Sequence, residues 1–213
     1  MAGLFITLEG IDGCGKSTQA DRLVRALCQT GSEVIALHEP GGMRISEKIR
    51  ALLLEPANGE MADECELLLY EASRAQLVRE VIEPALGRGA AVVCDRFYDS
   101  TYAYQHGGRG LDETLVATCN ALGSCGLVPT CTLVLDLDPA IALARATAGG
   151  ADRLEREGLQ FQERVRDAYL RLAEREPRRV ELIDASGTPD EVYDRLVAAL
   201  ADLLPAPLRS EVD

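Results

Sequence analysis

GIDGCGKST, residues 10–18, is the segment from which the rest of the chain can be interpreted. A short apolar run, residues 4–8, precedes it, and apolar residues at helical spacing follow it between Ala20 and Leu27. The segment matches the pattern G-x-x-x-x-G-K-[ST], and it lies between a predicted strand and a predicted helix, which is the setting that this pattern requires. We therefore predict a phosphate-binding loop, or P-loop, at this position.

The chemistry of such a loop follows from its backbone. Its glycines allow the chain to wrap around a triphosphate with the N–H groups pointing inward, and the N-terminus of the following helix adds partial positive charge. We expect Lys16 to bridge the β- and γ-phosphates of ATP and the hydroxyl of Ser17 to bind Mg²⁺. The predicted ATP-binding residues of the loop are Gly10, Ile11, Asp12, Gly13, Cys14, Gly15, Lys16, Ser17 and Thr18.

Length and composition favour one folded domain. The chain has 213 residues, of which 47% are hydrophobic and 27% are charged, so a substantial core is expected and disorder is not. No apolar run approaches the roughly 20 residues of a membrane helix, and no secretory signal is visible at the N-terminus. We predict one domain over residues 1–205, a tail over residues 206–213, and a cytoplasmic location without a membrane partner.

Net charge and cysteine content argue against two further classes of protein. A formal charge of −13 disfavours binding to a nucleic-acid backbone, which needs a basic surface. The 7 cysteines form no C-x-x-C pair and their number is odd. Free thiols in a reducing compartment are therefore expected, and disulfides or a zinc site are not.

Short apolar runs alternate with helical patterns along the chain. The clearest helical stretch extends from Asp63 to Leu86, and Pro139 and Pro189 are expected near helix starts. Because strands buried on both faces are nearly continuous apolar runs, the alternation predicts a parallel sheet with helices on both faces. The strand-like runs are residues 4–8, 33–38, 90–95, 131–137 and 180–184.

Four groups of candidate residues follow the predicted strands, at the edge where open α/β sheets bind ligands. The first is Asp12 inside the P-loop, where a carboxylate is expected to face a neutral group or a metal ion unless it is a solvated turn residue. The second is the turn EPGG, residues 39–42, with Arg50 on the helix after it. Arg50 is either a ligand-binding residue or a surface residue of an amphipathic helix.

The other two groups combine aromatic, basic and acidic side chains. Tyr70 and Arg74 are four residues apart on a predicted helix, so they share a face. They either stack on a planar base and bind its edge, or form a core tyrosine beside a solvated arginine. Asp95 ends a buried strand, where it can reach Mg²⁺ or its water shell. The planar guanidinium of the adjacent Arg96 can bind a second phosphate. Because burying unpaired charges costs free energy, an Asp–Arg sequence at the end of a buried strand indicates a functional role.

These segments together resemble the thymidylate kinases, P-loop enzymes that phosphorylate dTMP. The matching segments are GIDGCGKST, EPGG with IRALLL after it, YEASRAQLV, DRFYDSTYAYQHGGRGL, and DRLE with the later FQERVRDAYLRLA. They span residues 4 to about 172. The resemblance implies an α/β P-loop NTPase fold with a five-stranded parallel sheet, a short mobile lid near residues 145–157, a homodimer, and Mg-ATP as phosphoryl donor.

The resemblance also implies roles for single residues. Asp12 would hydrogen-bond the 3′-hydroxyl of dTMP, and Arg50 and Arg96 would hold its phosphate. Tyr70 stands where the family usually has a phenylalanine that stacks on thymine, and Arg74 would contact the base edge. The other residues implied at the nucleoside are Ser100, Thr101 and Gln105, together with Tyr104, which would crowd the 2′ position of the sugar.

Two departures from the family pattern concern the turn after EPGG and the lid. Met43 replaces the small hydroxyl residue usual at that position. The lid segment RATAGGADR, residues 145–153, is poor in arginine, and the P-loop has Cys14 where some members carry arginine. Because phosphoryl transfer normally needs an arginine beyond the P-loop lysine, we expect Arg153 to stabilise the transition state and Arg145 to bind the ATP phosphates or adenine. Alternatively, both arginines only form surface ion pairs.

The implied reaction is in-line transfer of a phosphoryl group from ATP to dTMP, in dTTP synthesis. The residues expected to act in catalysis are Lys16, Asp95, Arg96 and Arg153. The alternatives are a kinase for dUMP, dCMP or a deoxynucleoside, a nucleotide-dependent regulatory protein, and a scaffold with weakened catalysis. A guanine-specific switch is disfavoured because it needs an N-K-x-D-type element, and the chain has lysine only at Lys16 and Lys48.

Overall fold

The computed structural model describes residues 3–204, and within them five strands form one parallel sheet. The strand order is β2-β3-β1-β4-β5, and all neighbouring strands are parallel. The predicted sheet is confirmed, because each predicted run coincides with a strand to within one residue at either end. The strands are β1 (Phe5–Glu9), β2 (Val34–His38), β3 (Ala91–Asp95), β4 (Cys131–Asp136) and β5 (Val180–Asp184).

Helices connect the strands. They are α1 (Lys16–Gln29), α2 (Arg44–Leu54), α3 (Asp63–Leu77), α4 (Glu83–Gly87), α5 (Tyr98–Thr101), α6 (Glu113–Gly123), α7 (Pro139–Ala146), α8 (Leu159–Arg175) and α9 (Pro189–Ala199). A π-helical segment, Val78–Ile82, joins α3 to α4 in the stretch predicted to be helical, and a second, Tyr102–Gly108, extends α5. Pro139 and Pro189 occupy the first helical position, as predicted, where the missing N–H costs little.

The core forms two layers because β1 is buried on both sides. Ile6 and Leu8 pack in a layer that includes Leu23 of α1. Phe5 packs in a second layer with Leu77 at the end of α3. Since alternate residues of a strand point to opposite faces of the sheet, helices cover both faces, as the continuous apolar runs predict.

The strand order determines where the functional residues meet. β1 lies between β3 and β4, so the order of strands reverses at the carboxyl end of β1, which is where such sheets bind ligands. The register pairs Leu8 of β1 and His38 of β2 with Asp95 of β3. The P-loop, the EPGG turn and the Asp95–Arg96 pair therefore lie at one edge of the sheet.

The segment between α7 and α8 corresponds to the predicted lid. It contains two short 3-10 turns, Thr147–Gly149 and Glu155–Glu157. The predicted tail, residues 206–213, lies outside the described residues. Within the described range, the helices are too short or too polar to cross a membrane.

Candidate active site

The P-loop connects β1 to α1 and passes close to two other elements. Gly10 has φ 132° and Gly13 has φ 82°, both in the region that favours glycine. A Cβ atom on Gly13 would lie 2.0 Å from the carbonyl oxygen of Ala142 in α7, and one on Gly10 would lie 2.6 Å from that of Leu135 in β4. Glycine at both positions therefore allows the loop to pass between β4 and α7.

Lys16 begins α1, and its side chain folds inside the P-loop. It is 6% exposed, and its Nζ donates hydrogen bonds to the carbonyl oxygens of Gly10, at 3.1 Å, and Ile11, at 2.9 Å. The first N–H groups of α1 have no partner within the helix and are free to bind an anion. The ammonium group and the helix N-terminus thus lie together at the loop where the sequence predicts phosphate binding.

Ser17 connects the start of α1 to the end of β3. Its hydroxyl donates to Oδ2 of Asp95 at 2.6 Å, while Oδ1 of Asp95 is buried without a hydrogen-bond partner in the described part of the chain. A hydroxyl and a carboxylate are oxygen ligands of the kind that Mg²⁺ prefers. Within residues 3–204 no group of three or more histidine, cysteine or acidic side chains could hold a metal ion. This donor set fits magnesium, which is commonly held by one or two protein ligands and substrate phosphates.

Arg96 follows β3 and forms the centre of a polar network at the sheet edge. Its Nη1 donates to the carbonyl oxygen of Gly10 at 3.1 Å and to the hydroxyl of Ser100 at 3.0 Å. Its Nη2 donates to Oδ1 of Asp12 and, at 3.0 Å, to the hydroxyl of Tyr104. One guanidinium group therefore joins the P-loop to the segment after β3.

Asp12 faces a cation, which differs from the neutral group or metal ion that the sequence predicts. Besides its ion pair with Arg96, it accepts a hydrogen bond from the hydroxyl of Tyr104 at 2.8 Å. Burial raises the pKa of Asp12, but the charges of Arg96 and Lys16 outweigh this effect and hold the pKa below its ordinary value. Asp12 is therefore an ionised hydrogen-bond acceptor at neutral pH.

Two cavities adjoin this network. The larger, about 640 Å³, lies over the P-loop, and Lys16, Ser17 and Asp95 are in its lining. The smaller is about 90 Å³. The residues that line both cavities are Asp12, Glu39, Arg50 and Arg96. The smaller cavity brings together all the predicted acceptor-site residues except Arg74, namely Asp12, Arg50, Tyr70, Arg96, Ser100, Thr101, Tyr104 and Gln105.

The EPGG turn holds Arg50 at the wall between the cavities. Nη1 of Arg50 donates to the carbonyl oxygen of Pro40 at 2.7 Å, so this arginine is not a free surface residue. Met43 caps α2 without a side-chain hydrogen bond. The carboxylate of Glu47 accepts the N–H of Gly42 at 2.6 Å and so ties the turn to the first turn of α2.

Arg74 lies outside the lining of both cavities. It is 1% exposed, and its guanidinium forms ion pairs with Glu39, at 2.8 Å, and with Glu71. Burial raises the pKa of Glu39 to about 7, although the charge of Arg74 acts in the opposite direction. Helical spacing correctly places Arg74 on the face of Tyr70 but does not reveal these two buried acids. A contact of Arg74 with a base edge remains a prediction.

Arg153 is also buried, whereas a residue that stabilises the transition state is expected to reach the phosphates. It is 6% exposed, its Nε donates to the carbonyl oxygen of Leu53 at 2.8 Å, and its Nη2 is paired with Glu66 of α3. Glu66 is fully buried and also pairs with Arg109. Sequence analysis missed Glu66, because an acidic residue in the first turn of a helix is usually solvated. In this structure Arg153 anchors the lid to α2 and α3.

Arg145, unlike Arg153, is exposed to solvent. It lies in the last turn of α7, and its side chain has no ion pair or hydrogen bond to any residue from 3 to 204. The next residue, Ala146, lines the larger cavity. The expectation that both lid arginines only form surface ion pairs is therefore wrong for this structure, since one is buried and the other is unpaired.

The different environments of the two lid arginines predict different effects on stability. Arg153→Ala removes one partner of the buried Glu66 and leaves its ion pair with Arg109, so we expect the free energy of unfolding to fall by about 1–3 kcal/mol. Arg145→Ala is expected to change it by less than about 0.5 kcal/mol, because the side chain is exposed and unpaired. Urea denaturation measures both values. Equal stability of the two variants would contradict the anchoring role of Arg153.

Comparisons with known proteins agree on one family. The sequence profile described as thymidylate kinase matches residues 8–196. Thymidylate kinase from Pseudomonas putida is 49% identical over 205 residues, covering 96% of this chain and 98% of the relative. Thymidylate kinase from Solidesulfovibrio magneticus is 48% identical over 209 residues, covering 94% of this chain and 100% of the relative.

The fold shows the same relationship. The crystal structure of thymidylate kinase from Ehrlichia chaffeensis matches with a TM-score of 0.79 and 30% sequence identity, covering 94% of this chain and 100% of that chain. The profile match, the identities over nearly the full length and the shared fold support one conclusion: this chain belongs to the thymidylate kinase family.

Proposed function

We propose that this protein transfers the γ-phosphoryl group of ATP to dTMP, giving ADP and dTDP for dTTP synthesis. The observation that carries the proposal is the shared wall of the two cavities, which contains Asp12, Arg50 and Arg96. A triphosphate on the P-loop and a monophosphate in the smaller cavity would meet at this wall. Holding two reactants in that geometry is the main source of catalysis in phosphoryl transfer.

The donor side consists of the P-loop, residues 10–18, with ATP as the nucleotide. Lys16 exchanges the carbonyl oxygens of its own loop for phosphate oxygens, which bear more negative charge. Ser17 and Asp95 hold Mg²⁺, consistent with their hydrogen bond and with the unpartnered Oδ1 of Asp95. When bound, the metal ion neutralises charge on the phosphate groups.

The acceptor side consists of the smaller cavity. Arg96 and Arg50 hold the phosphate of dTMP, and Tyr70 stacks on the base. Asp12 accepts a hydrogen bond from the 3′-hydroxyl of the sugar, as its ionised state requires. Tyr104, held by Asp12 and Arg96, occupies the space of a ribose 2′-hydroxyl. The other proposed contacts of the nucleoside are Ser100, Thr101 and Gln105, with Arg74 at the base edge after rearrangement of its ion pairs.

We assign the transition-state cation to Arg145, because Arg153 is buried and bound to Glu66 and to the carbonyl oxygen of Leu53. Arg145 ends α7, and Ala146 beside it lines the larger cavity. Flexible residues after it, including Gly149 and Gly150, suit a closing lid over residues 145–157. Arg145 would thereby reach the γ-phosphoryl group when ATP is bound.

The proposed function is tested with purified protein, Mg-ATP and each common nucleoside monophosphate, with ADP release as the readout. We expect the highest kcat/KM with dTMP. Lys16→Ala should lower turnover at least about a hundredfold with an unchanged circular dichroism spectrum, because Lys16 contacts only loop atoms. Lys48→Ala, an exposed lysine of α2, is the matched control and should retain activity. A preference for another acceptor, or an active and folded Lys16→Ala variant, would contradict the proposal.

The assignment of Arg145 makes a kinetic prediction. Arg145→Ala should lower kcat at saturating ATP and dTMP by a factor on the order of 10³ while stability is retained. Arg156→Ala is the matched control, since Arg156 is also an exposed lid arginine but donates to the carbonyl oxygen of Ala151. A larger loss in Arg156→Ala, or a change of less than about tenfold in Arg145→Ala, would move the role to another residue.

We further propose that the enzyme is a cytoplasmic homodimer. All the cysteines lie within residues 3–204 and are free, as expected in a reducing compartment. Helix α3 packs between α2 and α6, and each carries an exposed leucine. These are Leu52 (52% exposed), Leu68 (60%) and Leu122 (78%). Exposed apolar surface of this kind is typical of a subunit interface.

The dimer is tested by placing charges on this surface. Leu68→Glu and Leu122→Glu should shift the protein towards the monomer, because a buried unpaired carboxylate opposes association. Sedimentation velocity measures the shift. Leu159→Glu, at the first position of α8 and 40% exposed, is the control and should leave the oligomeric state unchanged. Identical sedimentation of all variants and wild type would contradict this interface.

A further inference from the structure

We propose that Glu9, the last residue of β1, is a positioning residue that sets the affinity for the acceptor phosphate by holding Arg96. The inference deepens the proposed function and rests on it. Glu9 does not line either cavity at the site, so it has no direct contact with a bound nucleotide there. It acts through the side chain and the backbone of the segment after β3.

The environment of Glu9 is unusual for a structural residue. It is fully buried, and its carboxylate accepts hydrogen bonds from three donors. Oε1 accepts the backbone N–H of Phe97 at 2.7 Å, and Oε2 accepts the hydroxyls of Ser100, at 2.5 Å, and Tyr169, at 2.7 Å. A buried carboxylate is costly, and an apolar residue would fill a strand end without that cost. The groups that donate these hydrogen bonds therefore indicate the role of Glu9.

One of these hydrogen bonds leads directly to Arg96. The hydroxyl of Ser100 donates to Glu9, which orients its oxygen lone pairs to accept Nη1 of Arg96 at 3.0 Å. The same guanidinium donates through Nη2 to Asp12. A continuous chain of hydrogen bonds thus runs from the buried carboxylate to the wall shared by the two cavities, and each bond polarises the next.

The second link acts on the backbone. Arg96 has φ 74°, a left-handed conformation that costs on the order of 1–3 kcal/mol for a residue other than glycine and persists only when its surroundings enforce it. The N–H of Arg96 donates to the carbonyl oxygen of Leu8 at 2.9 Å, and the next N–H, of Phe97, donates to Glu9. The end of β1 therefore holds Arg96 on both sides in the conformation that turns its side chain to the P-loop.

The experiment measures the Kd values of dTMP and ATP separately by calorimetry. Glu9→Gln keeps the size of the side chain but replaces one acceptor oxygen with a donor, so at least one of the three donors loses its partner. We expect dTMP to bind about tenfold more weakly, which is the loss typical of a hydrogen bond to a charged group, and ATP to bind within about twofold of wild type. A general loss of packing would weaken the binding of both dTMP and ATP.

Tyr169→Phe is the matched control. It removes a hydroxyl from the same buried carboxylate, and Tyr169 is 1% exposed. It also removes the 3.0 Å hydrogen bond between the hydroxyls of Tyr169 and Ser100. The hydrogen bonds from Ser100 and from the N–H of Phe97 to Glu9 stay in place, as does the one from Arg96 to Ser100, so dTMP affinity should change less than in Glu9→Gln. An equal loss of dTMP affinity in both variants would overturn the proposal, because it would mean that damage to the buried network, and not the link to Arg96, is responsible.

A double-mutant cycle tests whether Glu9 acts through Arg96. In the Arg96→Ala background, Glu9→Gln should cause no further loss of dTMP affinity, measured up to millimolar dTMP. Additive losses would overturn the proposal. If Glu9→Gln does not fold, Ser100→Ala takes its place in the cycle, since it breaks the same chain of hydrogen bonds. A direct contact between Ser100 and dTMP would persist without Arg96, whereas the proposed effect would vanish.

These outcomes are distinguishable from failure of the proposed function. Wild-type protein that binds ATP but not dTMP would refute the acceptor assignment, and with it the premise of the inference. Wild-type protein that binds and phosphorylates dTMP, together with a folded Glu9→Gln variant of unchanged dTMP affinity, would refute the positioning role of Glu9 alone.

Discussion

The guanidinium of Arg96 bonds to both sides of the active site, and this is possible only because β1 and β3 are parallel neighbours. The register places the end of β3 opposite the end of β1, so a residue after one strand meets the loop after the other. The P-loop must then turn in the narrow space beside β4 and α7, which Gly10 and Gly13 permit. The conformation of the P-loop and the position of the Arg96 side chain therefore both depend on the pairing of β1 with β3.

Charge compensation explains how a chain with a net charge of −13 maintains a cationic site. Three buried or half-buried arginines each have a carboxylate partner: Arg96 with Asp12, Arg74 with Glu39, and Arg153 with Glu66. The first pair lines both cavities, so a phosphate can compete for its guanidinium. Arg74 and Arg153 line neither cavity, and both are almost fully buried. Access to the cavities, and not ion pairing, thus distinguishes Arg96 from Arg74 and Arg153.

The sequence predicted the strands and the P-loop because each carries a local signal, whereas most roles at the acceptor site were implied by the resemblance to the thymidylate kinases and remain predictions. Apolar runs identify buried strands, glycine spacing identifies the loop, and Asp95–Arg96 follows a strand directly. The pairing of Arg74 with Glu39 and of Arg153 with Glu66 could not be predicted, since each pair is distant in sequence and both acids resemble solvated ones. Periodicity gives the face of a helix on which a side chain lies but not the group packed against that face. Ion pairs between residues that are distant in sequence can therefore be identified only from the structure.

The position of Arg153 also divides the lid into two parts with different freedom. Its far end is fixed, because the side chain of Arg153 binds the carbonyl oxygen of Leu53 and its N–H donates to that of Leu54, at the end of α2. Helix α2 also carries Arg50, which lines both cavities. A ligand that moves Arg50 therefore acts on the same helix that anchors the lid. The unpaired Arg145 therefore lies at the end of the segment without such an anchor, and the paired Arg153 lies at the anchored end.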